Sequence, residues 1–134
     1  MYPTLSLSGD LVLQEHLSSL FRRPLQRGTL VTAISPLDPS HHICKRVIGL
    51  EGDIIALDPS RTSTSRKRGM EALTQGDSEV VGLREGGEWI EVPKGSVWLA
   101  GDNLSNSTDS RDYGPVPLAM IRGRLVAVVR FFEI

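Results

Sequence analysis

Apolar residues in this chain come in short runs, and Gly, Pro or Asp interrupts them at close intervals. That pattern is the mark of β-strands joined by turns. Strands are predicted at 10–14, 29–34, 44–50, 53–57, 89–92, 96–100 and 124–132. One stretch, EHLSSLFRR, sets Leu17, Leu20 and Phe21 at helical spacing, and it reads equally well as an irregular connection. Two turns are expected, one at LEGD around Gly52 and one at VPKGSV around Pro93 and Gly95. Between 58 and 88 the residues change to Ser, Thr, Arg, Gly and Glu. That segment is too long for a hairpin loop, so an insertion or mobile flap is expected. No internal repeat is visible. The pattern as a whole predicts one mainly-β domain over 1–134 with a single long excursion.

Composition changes this picture little. A chain of 134 residues supports one modest core. A formal charge of −1 speaks against a general binder of nucleic acid or acidic membrane, so no nucleic-acid partner is expected. The basic stretch RTSTSRKRG lies in the polar excursion and reads as a solvated loop. No apolar run approaches the ~20 residues of a membrane span. The single cysteine, Cys44, excludes an intrachain disulfide.

Two stretches carry candidate chemistry. In HHICKRVIGLEGD, the group His41, His42 and Cys44 suggests zinc, with His16 as the one further histidine. A structural site needs four ligands, and no second cluster completes it, so no metal and no cofactor is expected. Lys45 opens an apolar run in the same stretch. A desolvated lysine amine can act as a general base. On this stretch alone, Lys45 and Arg46 equally read as strand-flanking residues facing water. The second stretch is AGDNLSNSTDSRDYGPVP, which follows the strand SVWL. Asp109 and Arg111 are close enough in sequence to form an ion pair that pins the loop. Ser107 and Ser110 supply hydroxyls that a pinned loop could aim at a site.

Taken in order, MYPTL, KRVIGLEGD and GDNLSNSTDSRDYGPVP resemble the boxes of the type I signal peptidase family. CKRVIGLEGD and RDYGPVP point to its mitochondrial inner membrane branch, and there to the first of two subunit types. RGTLV resembles a further box usually written R-G-D, from which Thr29 departs. The likeness covers nearly all of the chain except 58–88. It implies an antiparallel β core of twisted sheets, or a partly open barrel, with one long inserted loop.

The resemblance also implies a mechanism, a serine endopeptidase built on a Ser/Lys dyad. Lys45 matches the family's base. Ser107 matches the serine that orients the lysine amine. Asp109 and Arg111 match the ion pair supporting that loop, and Gly101, Asp102 and Asn103 the turn beside the dyad. Met1, Leu5 and Cys44 match positions lining the pockets for small substrate residues, although each could equally be ordinary core. The family's first box reads S-M-x-P-T-L, with the serine as nucleophile. Met1 to Leu5 match its last five positions, so the serine belongs immediately before Met1, and the family's membrane anchor further upstream. The expectation is therefore that the sequence starting at Met1 is inactive. It is either a shortened form of a working peptidase or, alternatively, a non-catalytic pseudoenzyme or binding subunit of the same complex. The implied substrates are presequence-bearing proteins delivered to the mitochondrial intermembrane space. The implied setting is a heteromer with a second protease subunit at the inner membrane.

Overall fold

The computed structural model describes residues 1, 4–5, 10–16, 24–57, 81–84 and 87–130. Within them, nine strands alternate with short turns: β1 Asp10–His16, β2 Leu30–Ile34, β3 His42–Gly49, β4 Ile54–Ala56, β5 Val81–Arg84, β6 Gly87–Glu91, β7 Ser96–Ala100, β8 Val116–Pro117 and β9 Ile121–Arg130. One helical turn, α1 (Ser110–Tyr113), and a 3-10 turn at Leu118–Met120 precede the last strand.

The strands form two antiparallel sheets. The larger has the order β1-β9-β2-β3-β7-β8 and the smaller β4-β6-β5. Among the described residues the sheets do not close into a barrel. The antiparallel β core expected from the sequence is present.

Strand β7 joins the two halves. All five of its residues are buried, because both of its faces are covered. Val97 and Leu99 point into a cluster with Val31, Ala33, Val47, Tyr113, Val116 and Ile121. Trp98 points the other way, onto Leu57, Ile90 and Val92 beneath the small sheet. The sequence SVWLA thus reads as a continuous apolar run rather than an alternating one.

Most predicted strands fall where the pattern put them. The LEGD turn is made by Gly52 at φ +84°, a left-handed conformation that side chains disfavour. The turn at VPKGSV closes with Ser96 N–H donating to Pro93 O at 3.1 Å. Two strands were not anticipated. β5 lies inside the segment read as an excursion and pairs with β6 from Val81↔Ile90 to Arg84↔Gly87. The end of that segment is therefore a hairpin arm. β8 is two residues long and contains a proline, too short to register as a run. Strand β9 begins at Ile121, three residues ahead of the predicted start. The possible helix around Leu17, Leu20 and Phe21, and the basic stretch RTSTSRKRG, lie outside the described residues. So do Tyr2 and Pro3 of the first box. No described helix is long and apolar enough to cross a membrane.

Candidate active site

Strand β3 pairs with β7 in a register that sets Arg46 opposite Ala100 and Val47 opposite Leu99. β7 ends at Ala100, and the chain leaves the sheet as GDNLSNS. Continued one step, the antiparallel register brings Gly101 beside Lys45. On β3, Lys45 lies on the face of Val47, which is fully buried, so its stem shares the core side of the strand.

The amine of Lys45 donates to Ser107 Oγ at 3.0 Å, across 62 residues of sequence. This approach requires glycine at 101. A Cβ there would lie 2.0 Å from Ser107 Oγ and 2.6 Å from Ser107 Cβ, and 3.5 Å from Lys45 Nζ.

The loop carrying Ser107 is held from below by Asp109, whose side chain is fully buried. Its carboxylate caps α1 by accepting from Arg111 N–H at 3.1 Å. Arg111 also grips it with Nε at 2.9 Å and Nη2 at 2.8 Å. Gly101 N–H donates to it at 3.0 Å, tying the start of the loop to its end. Asp112 completes a capping box by accepting from Asp109 N–H at 3.0 Å. Burial alone would raise the Asp109 carboxyl. The hydrogen bonds from Arg111 and Gly101 outweigh it and hold the group below the usual carboxylate range.

A second carboxylate, Asp102, ties the boxes together. Arg46 forks onto it with Nε and Nη2, each at 2.8 Å, and donates through Nη1 to Gly28 O at 2.7 Å. Thr4 Oγ1 donates to the same carboxylate. Hydrogen bonding from Arg46 chiefly lowers Asp102, to about 2. Thr4 belongs to a turn in which Leu5 N–H donates to Met1 O at 3.1 Å. Through this hydrogen bond of Thr4 to Asp102 the turn is tied to the loop.

The remaining predicted positions divide. Met1, Leu5 and Cys44 are all half-buried. Burial pushes the Cys44 thiol up. Asn103 works within its own turn, accepting from Ser105 Oγ at 2.9 Å. Ser110 faces away from Lys45: it is fully buried and its Oγ accepts from Leu99 N–H at 2.9 Å. Arg27 pairs with Asp53, its Nε donating at 2.7 Å, and thereby joins the RGTLV box to the LEGD turn. Thr29, the departure from R-G-D, contributes backbone, accepting from Val47 N–H at 2.9 Å. The roles of Arg46 and Thr4 were not read from the sequence. The motif gives the order of residues, not which side chains meet.

The chemistry available here is proton transfer. A lysine amine sits hydrogen-bonded to a hydroxyl, in a loop locked by one buried ion pair and beside a turn locked by another. Residues 1–130 match the family described as signal peptidase, peptidase S26, and the chain belongs to that family. It is similar to the mitochondrial inner membrane protease subunit 1 of Mus musculus, at 46% identity over 135 residues, covering 100% of this chain and 63% of that protein. It is also similar to the protein of the same name from Schizosaccharomyces pombe, at 39% identity over 129 residues, covering 96% of this chain and 67% of that protein. The chain thus spans about two thirds of the length of these relatives. The fold resembles a signal peptidase I from Enterococcus faecalis, with a TM-score of 0.52 and 23% identity, covering 78% of this chain and 98% of that one.

Proposed function

We propose that this chain is the catalytic domain of a serine endopeptidase that removes presequences by a Ser/Lys dyad. The observation that carries this reading is the Lys45–Ser107 hydrogen bond of 3.0 Å, made to a loop whose Asp102 accepts from Thr4 of the first box. The nucleophile is a serine directly ahead of Met1, where the family's first box has it.

In this reading the unprotonated amine of Lys45 takes the serine proton as the serine oxygen attacks the scissile carbonyl. The tetrahedral intermediate collapses as the new amine terminus leaves with a proton from Lys45. The same lysine then activates water, and its attack on the ester releases the presequence and restores the serine. Ser107 accepts one N–H of the amine and so directs the lone pair toward the nucleophile. Backbone and side-chain donors at and before that serine hold the oxyanion. Small residues beside the cut fit pockets bounded by Met1, Leu5 and Cys44. The subunit 1 relatives support a place at the mitochondrial inner membrane, and a relative named subunit 2 supports a complex with a second subunit; in this reading the domain faces the intermembrane space.

The test uses a chain with serine placed ahead of Met1. That chain should cleave a presequence peptide with small residues at the cut. Lys45→Ala and Lys45→Arg should both abolish cleavage, because a guanidinium does not give up its proton at usable pH. Ser107→Ala should retain a larger share of activity. Circular dichroism checks that all variants fold. An arginine variant as active as its parent ends the proposal.

A further inference from the structure

Two turns must hold a fixed separation for a Ser/Lys dyad to work: the one that presents the nucleophile and the one that presents Ser107, the partner of Lys45. The second is secured through Asp109, Arg111 and Gly101. The first contains Met1, Thr4 and Leu5 among the described residues, and its internal hydrogen bond runs from Leu5 N–H to Met1 O at 3.1 Å. That bond shapes the turn and does not place it. Thr4 Oγ1 reaches out of the turn, across 98 residues of sequence, to the carboxylate of Asp102.

Asp102 is a rigid acceptor. Both of its oxygens are taken by the fork of Arg46, itself anchored on Gly28 O at 2.7 Å. Arg46 and Lys45 are neighbours on β3, and Asp102 follows Gly101. A side chain that docks on Asp102 is therefore indexed to the backbone carrying both the lysine and its partner loop. The ion pair is mostly enclosed, with Arg46 29% and Asp102 16% exposed, so water competes weakly for the Thr4 hydroxyl.

We infer that Thr4 is a positioning residue for the reaction: its hydroxyl, through the carboxylate of Asp102, sets the nucleophile turn at the correct distance from Lys45. This inference rests on the site being a Ser/Lys peptidase. It assigns to the threonine side chain a task separate from the fold of the turn. Thr4 makes no proton transfer. It acts through distance, and a displacement on the order of 1 Å can cost about a hundredfold in rate.

The experiment measures kcat and KM for cleavage of the presequence peptide by the chain with serine ahead of Met1. Thr4→Val keeps the shape and removes the donor. It should lower kcat by about tenfold or more, with KM within about twofold of the parent. Thr4→Ser restores the donor and should return kcat to within about threefold. In the Asp102→Asn background the platform is already weakened, so Thr4→Val should add less than about threefold. Unfolding midpoints for both Thr4 variants should stay near the parent's. Three results overturn the inference: unchanged kcat in Thr4→Val, equal damage in Thr4→Ser, or full additivity with Asp102→Asn. Lys45→Ala is assayed alongside. If it retains activity, the Ser/Lys reading itself fails. If it is dead while Thr4→Val is fully active, only the role of Thr4 falls.

Discussion

At the scale of single residues, the two carboxylates set how the molecule meets acid. Asp109 and Asp102 are both held below the ordinary carboxylate value, Asp102 at about 2. A depressed native pKa contributes stability that is fully present above the unfolded value, near 4, and is lost as pH falls through the native one. Stability to urea should therefore be nearly flat from neutral pH to about 5 and then fall between about pH 4 and 2. Asp109→Asn should flatten that acid limb. It should also cost about 3 kcal/mol at neutral pH, since the Arg111 charge would face a partner unable to answer it. Urea unfolding of both proteins over this pH range measures the two effects. The sequence showed Asp109 and Arg111 two apart, as a pair able to pin the loop. It did not show that Gly101 N–H would converge on the same carboxylate, because that contact closes only after β7 and α1 have packed.

At the scale of elements, legibility followed length and alternation. β7 stood out as five apolar or small residues between a turn and a glycine, and its bounds match the prediction. β5 was hidden because Val81–Arg84 has a glycine in place of one apolar residue and sits at the end of a long polar stretch. Its pairing with β6 gives it a measurable role. A Gly/Ser linker replacing 60–85 removes β5 and leaves one edge of β6 without its ladder. A linker replacing 60–78 keeps that ladder. The longer replacement should lower the melting temperature by several degrees more than the shorter one, about 1 kcal/mol or greater in stability. Differential scanning calorimetry of the two variants decides it. Equal midpoints would mean that β5 adds nothing to the small sheet. Strand order was the least legible feature. β1 lies against β9, with Asp10 opposite Arg130, and no local pattern announces a partner at the far end of the chain.

At the scale of the whole molecule, two hydrophobic clusters share one strand. Neither can lose β7 without opening the other, so the two sheets should unfold together. The tryptophans make this testable. Trp98 lies in the smaller cluster and Trp89 on β6, so their fluorescence follows the small sheet, whereas far-ultraviolet circular dichroism averages over all strands. The two signals should trace one transition with the same midpoint in guanidinium. Separate midpoints would show that the small sheet melts independently. The candidate site depends on the same unity. Lys45 is on β3, Ser107 is in the loop after β7, and Met1, Thr4 and Leu5 come from the first box. Their meeting became legible only through the family boxes. Spacing in sequence carries no information on contacts made across 62 or 98 residues.

Cys44 has a practical consequence for watching this molecule. It is the single thiol in residues 1–134, and it directly precedes Lys45. A thiol-reactive fluorophore or spin label therefore needs no competing cysteine removed from this domain, and it reports from one residue away. Because burial keeps the thiol protonated at neutral pH, attachment is slow there and quickens in alkali. Partial labelling is then a matter of timing. A nitroxide at Cys44 would sit on β3 itself, where its tumbling senses how tightly the strand beside Lys45 is packed.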